Sequence, residues 1–223
     1  MKPLTIDKMS LQKALLNNDI NLLDFPGMAR KIFQLTEIEI PSSVFLQNDE
    51  QNSYLQLFKN ECKKFDIQNL AIIIDNCGNI NETSIILRNQ AVQKHFKWIK
   101  ALRFLGYNKL KIIISNSTFD KTIQLATIDG LIKLSDFAEL YDVDIIVDSP
   151  DTDKLFERIL IDIINEVNKP NCYFVSIGKQ IIQNNSNTNS TNKRKITIMD
   201  SCENDDSLER ISFGQQLLNK NNN

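Results

Sequence analysis

Residues 70–114 read LAIIIDNCGNINETSIILRNQAVQKHFKWIKALRFLGYNKLKIII, and this stretch decides the fold. It opens on one short apolar run, Leu70 to Ile74, and closes on another, Leu110 to Ile114. Nearly continuous apolar residues in so short a run suit a strand buried on both faces, as in a parallel sheet. Between them Glu82 to Leu105 carries Ile85, Ile86, Val92, Phe96, Ile99, Leu102 and Phe104 near a 3.6-residue spacing, the signature of a long helix. Gly106 follows where a helix C-terminal cap is expected. The stretch is therefore one strand–helix–strand unit.

The same order recurs on both sides. Ile38-Glu39-Ile40, Val143 to Val147, Cys172 to Ile177 and Ile196 to Met199 are further strand candidates. Helices are expected from Asp24-Phe25-Pro26 through Phe33, around Tyr54 to Phe65, over Lys121 to Leu140, over Thr152 to Val167 and over Leu208 to Leu218. Strands recurring with helices between them give an α/β fold, a parallel sheet with helices outside. A closed barrel and an open doubly wound sheet both fit this pattern. No strand is followed by GxGxxG and there is no GxxxxGK[ST], so neither dinucleotide nor P-loop phosphate binding is indicated. Asp75-Asn76-Cys77-Gly78 offers a single glycine and does not replace such a loop.

At 223 residues the chain is short for a (β/α)8 barrel, which typically takes about 250 residues with roughly 200 as the floor. One domain over residues 1–220 is expected, with a polar surface loop at 183–192 (QNNSNTNSTN) and a frayed tail at 221–223. The net charge of -2 gives no general pull toward nucleic acid or acidic membranes. Lys193-Arg194-Lys195 is a short solvated cluster rather than a nucleic-acid surface. No apolar stretch is long enough for a signal peptide core or a membrane span. Cys62, Cys77, Cys172 and Cys202 form no metal-site spacing, so reduced thiols and a cytoplasmic protein are expected. With His95 the sole histidine and on a helix, Ser-His-Asp or Cys-His catalysis is not indicated.

The sequence resembles the sugar phosphate isomerase/epimerase family, the xylose isomerase-like TIM barrels. The resemblance is carried by Ser10-Leu11-Gln12-Lys13, Leu22-Leu23-Asp24-Phe25-Pro26-Gly27-Met28-Ala29 and Thr36-Glu37-Ile38-Glu39. Its most specific part is Asn89-Gln90-Ala91-Val92-Gln93-Lys94-His95-Phe96-Lys97-Trp98-Ile99-Lys100-Ala101, continuing to Phe104-Leu105-Gly106. It implies an incomplete barrel of about seven parallel strands, with the loop 183–192 standing where a helix and a strand belong.

The resemblance also implies a chemistry. Family members hold a divalent metal (Mn, Mg or Zn) through carboxylates and a histidine at strand ends, and shuttle a proton between adjacent sugar carbons. Where the family presents Glu-Asn-His, this chain has Asp148-Ser149-Pro150. Ser176 stands where an aspartate is expected, and the last glutamate falls near Met199, beside Asp200. Asp148 and Asp200 are thus the metal-ligand candidates, although a one-residue slip would turn Asp200 to the opposite face of its strand. Glu39 joins Asp148 as a catalytic candidate. Asp75, Lys111, Ser176 and His95 are ligand-binding candidates. For several there is a plainer role: a turn residue for Asp75, a counterion for Glu39 at Lys111, and a buried imidazole packed with Trp98 for His95.

These losses lead to the expectation of a degenerate barrel without catalysis, with no cofactor, binding a small sugar or polyol. An active metal-dependent isomerase or epimerase is the alternative. A protein partner or a second copy covering the incomplete barrel edge is a third expectation.

Overall fold

The computed structural model describes residues 4–5, 21–47, 51–115, 119–149, 153–175 and 181–182. Their strands form one sheet in sequential order: β1 (Leu4–Thr5), β2 (Glu37–Pro41), β3 (Asn69–Ile74), β4 (Lys109–Ile113), β5 (Asp144–Asp148), β6 (Cys172–Val175) and β7 (Ile181–Ile182). From β1 to β6 every neighbouring pair is parallel. The helices are α1 (Phe25–Ile32), α2 (Gln51–Lys64), α3 (Ile85–Leu105), α4 (Lys121–Glu139) and α5 (Lys154–Val167). Each lies between two consecutive parallel strands, so the arrangement is that of a partial βα barrel.

Two features depart from the sequence-based expectation. β1 has no counterpart among the expected runs, being only two residues long. β7 runs antiparallel to β6, with Phe174 opposite Ile182 and Val175 opposite Ile181, so among the described residues β1 to β6 are parallel and β7 is not. The expected strand Ile196 to Met199, the helix Leu208 to Leu218, the loop 183–192 and Cys202 lie outside the described residues.

Alternation along each strand separates two faces. Ile38, Ile40, Leu70, Ile72, Leu110, Ile112, Ile145, Val147, Cys172 and Phe174 join the helices in the hydrophobic core. The opposite, inner face carries Glu37, Glu39, Asn69, Ala71, Ile73, Lys109, Lys111, Asp144, Ile146, Asp148 and Tyr173. The strands are therefore apolar on the helix side and strongly polar inside, not apolar on both faces. The lysines of β4 and the acids of β2 and β5 are what the short apolar runs conceal.

Helix ends follow their residues closely. Ser84, Asp120 and Asp153 accept backbone N–H groups in the first turns of α3, α4 and α5, which satisfies donors that a helix start leaves open. That cap is why α3 begins at Ile85 rather than Glu82. Each helix is followed, before the next strand, by one left-handed residue: Gln34, Asp66, Gly106, Asp142 or Asn168, with φ between 49° and 95°. Only one of the five is glycine. Asp and Asn tolerate this conformation better than most residues, which is how a chain with 6 glycines terminates its helices.

The buried face of α3 differs from the one expected. Ile85, Ile86 and Phe104 are exposed, while Arg88, Ala91, Val92, His95, Trp98, Ile99, Leu102 and Leu105 are buried. Arg88 reaches Asp129 of α4 at 2.6 Å and also donates to the carbonyls of Glu82 and Thr83. Lys133 bonds the same carboxylate at 2.7 Å, so a charged cluster ties α3 to α4.

Candidate functional site

The inner face of the sheet gathers three of the candidate residues. Lys111 Nζ lies 2.6 Å from Glu39 Oε1 and 3.2 Å from Asp148 Oδ2. The triad spans β2, β4 and β5, so the lysine must reach across β3. Register shows how. Glu39 pairs with Ala71, while Lys111 pairs with Ile73 one row further up and with Ile146 on its other side. Asp148 pairs with Ile113, a row higher again. The three charges thus climb diagonally toward the C-terminal rim. Ala71 is the small side chain in Glu39's row, and it leaves space over β3 for Lys111 and Glu39 to meet.

Exposure rises along the same diagonal: the side chains of Glu39, Lys111 and Asp148 are 10%, 13% and 30% accessible. Asp148 is therefore the member that solvent or a ligand meets first. Its Oδ1 accepts the backbone N–H of Ser149 at 2.8 Å while Oδ2 faces the ammonium. Burial pulls the Lys111 ammonium down, but the carboxylates of Glu39 and Asp148 outweigh it and hold the lysine above its ordinary value. At neutral pH Lys111 is a cation, not a nucleophilic amine.

Asp75 stands at the end of β3 and braces the rim. Its carboxylate accepts from Ser42 Oγ at 2.8 Å, from the Ser43 N–H at 2.9 Å and from Ser43 Oγ at 2.6 Å. Ser42 and Ser43 are the partners that sequence reasoning did not identify; a Ser-Ser pair directly after the β2 strand was the available signal. Two further contacts anchor the segment after β3. Trp98 donates its indole N–H to Cys77 Sγ at 3.2 Å, and the Ile80 carbonyl lies against Gly130 of α4. Trp98 also packs on Phe45, with ring centroids 5.7 Å apart.

His95 is not brought to the triad. It lies in α3, on the helix side of the sheet, 1% exposed, with Nδ1 donating to the Ala91 carbonyl at 2.7 Å. Burial lowers its pKa, opposed by that hydrogen bond. Burial also pushes the thiols of Cys62 and Cys172 up to about 12, so neither is a ready nucleophile. Ser176, Met199 and Asp200 lie outside the described residues.

A divalent ion needs several oxygen or nitrogen donors gathered in one place. Among the described residues, no three His, Cys, Asp or Glu side chains come together in a group able to hold one. The two carboxylates that do approach each other are bridged by an ammonium.

No protein-family model matches the sequence, and no curated protein is similar to it by sequence. Solved structures are similar in fold. A D-psicose 3-epimerase determined in the presence of D-fructose aligns with a TM-score of 0.58 at 14% identity, over 70% of this chain and 57% of that one. The D-psicose 3-epimerase of Clostridium cellulolyticum H10, with D-tagatose, gives 0.56 at 16% identity, over 68% of this chain and 57% of that one. An IOLI protein with a bound zinc atom gives 0.55 at 17% identity, over 78% of this chain and 62% of its own. The chain thus spans less than two thirds of the length of these proteins. Its described residues share the barrel fold of these proteins over part of their length.

Proposed function

We propose that this chain is a sugar isomerase/epimerase-like barrel that binds a small polyhydroxylated ligand at the C-terminal rim of its sheet and does not turn it over. The observation that carries this reading is Lys111 Nζ held between Glu39 Oε1 and Asp148 Oδ2. Moving a proton between adjacent sugar carbons needs a base free to face the carbon and an electrophile on the neighbouring oxygen. Here the acid of β2, the base candidate, is engaged by the ammonium and is the deepest member of the triad. A carboxylate at the mouth remains a good acceptor for ligand hydroxyls, and Asp148 is placed for that role. The likeness in fold to ketose epimerases supports a ketose or polyol as the ligand class.

The test is proton NMR in deuterated buffer with D-fructose, D-psicose and D-tagatose, each with and without Mn2+ or Mg2+. The expected result is saturation transfer from protein to a ketose, weakened in Asp148→Asn, with no deuterium entering at carbon. Deuterium wash-in that disappears in Asp148→Asn overturns the reading in favour of an active isomerase or epimerase.

A further inference from the structure

We propose that Lys111 is the resident cation of this site, and that its ammonium excludes divalent metal by standing in the space between Glu39 and Asp148. The two carboxylates reach Nζ from different strands, at 2.6 and 3.2 Å. An oxygen-ligated divalent ion needs donors at about 2.0 to 2.6 Å, so a metal drawing on both carboxylates would have to occupy essentially the place of Nζ. The lysine cannot easily vacate it. Its side chain is 13% accessible and starts from the middle of β4, and displacing it leaves a buried ammonium beside an arriving dication. A tethered cation also has no dissociation step.

This assignment concerns cations only and goes beyond the ligand reading, with a different measurement. Mn2+ binding is followed by electron paramagnetic resonance and calorimetry on the full chain. Wild type and Lys111→Arg are expected to show no saturable binding in the micromolar range. Lys111→Ala, which removes the cation and opens its space, is expected to gain affinity by at least about tenfold, a gain cancelled by adding Glu39→Gln. Thermal melting supplies a second readout. Mn2+ is expected to raise the melting temperature of Lys111→Ala, and to leave wild type where an ionic-strength-matched sodium salt leaves it.

Saturable micromolar Mn2+ binding by wild type overturns the assignment, since the lysine would then be yielding its place. So does a Lys111→Ala protein that gains nothing, whether folded without metal or unfolded with and without it. If wild type binds no Mn2+ yet washes deuterium into a ketose, the ligand reading fails while this one stands. If wild type binds Mn2+ and leaves the ketose protons untouched, the reverse holds.

Discussion

The backbone carbonyl of Ile80 stands so close against the α-carbon of Gly130 that a Cβ at residue 130 would overlap its oxygen. The contact is backbone to helix, so no side chain can rotate away to relieve it. Gly130 sits within α4, where glycine is otherwise less favourable than alanine. Its presence there is explained by the segment after β3 pressing on the helix. Gly130→Ala is expected to destabilise the fold by about 1–3 kcal/mol, the usual cost of overpacking, read from urea unfolding midpoints. An unchanged or raised midpoint would show that the segment moves aside freely.

A substitution at the end of α1 should act in the opposite direction. Gln34 has φ 56° and, unlike Asp66, Asp142 and Asn168, no short polar side chain suited to the left-handed region. Gln34→Gly is expected to stabilise by about 1 kcal/mol, as the lost strain exceeds the added freedom of the unfolded chain. Thermal melting checks this, and a lower melting temperature contradicts it.

The triad on the inner face contributes stability with a definite pH signature. Because the folded-state pKa of Lys111 is raised, the contribution is complete below the ordinary value of 10.5 and fades as pH rises through the higher folded value. Removing the ammonium takes from Glu39 and Asp148 the cation they share, so Lys111→Met is expected to cost about 3 kcal/mol at pH 7. The loss should be partly restored by adding Glu39→Gln. Denaturant titrations at about pH 8 and about pH 11, on either side of an ordinary lysine's titration in the unfolded chain, should show a smaller alkaline loss for Lys111→Met than for wild type. Equal losses would mean the pair is not coupled to folding.

His95 sets the acid side. Its folded-state pKa is lowered below 6.5, chiefly by burial. Its share of stability is therefore complete above pH 6.5 and declines as pH falls below that value, where the unfolded chain takes up the proton first. His95→Gln is expected to lower stability at neutral pH by about 0.5–1.5 kcal/mol, the usual net worth of the hydrogen bond it gives the Ala91 carbonyl. It should also lose less than wild type between about pH 7.5 and about pH 5.5, the window that brackets an ordinary imidazole. Parallel pH profiles for the two proteins would show that this imidazole does not control the acid limb.

Much of the architecture could be read from the chain because each unit is local: an apolar run, a capping residue, a helix and a polar turn. Ser84, Gly106, Asp120 and Asp153 mark helix ends within a few residues of the hydrophobic pattern they bound. The inward face of α3 was harder to read, because Ile85, Ile86 and Phe104 are apolar yet exposed. Arg88 and His95 share its true buried stripe because Asp129 and the Ala91 carbonyl satisfy them. The site was legible in its members more than in its geometry. Glu39, Lys111 and Asp148 could be named as candidates, but their convergence depends on strand register and on a small residue at 71. Nor does the spacing of Asp75 reveal that Ser42 and Ser43, more than 30 positions earlier, donate three hydrogen bonds to it. What Ser176 and Asp200 do lies beyond the described residues.

The reversed direction of β7 has a consequence for the path of the chain. In a repeating βα unit, a helix makes the descent from the C-terminal rim and the next strand climbs back. After β6 the chain turns back as a strand, so Ile181 and Ile182 are spent on sheet pairing where a helix would stand. Ile182 consequently points the chain toward the rim where the parallel strands begin, opposite the mouth marked by Asp148. At Ile182, opposite Phe174 and so level with Val147, the chain has turned back by only two paired residues and still stands close to the mouth.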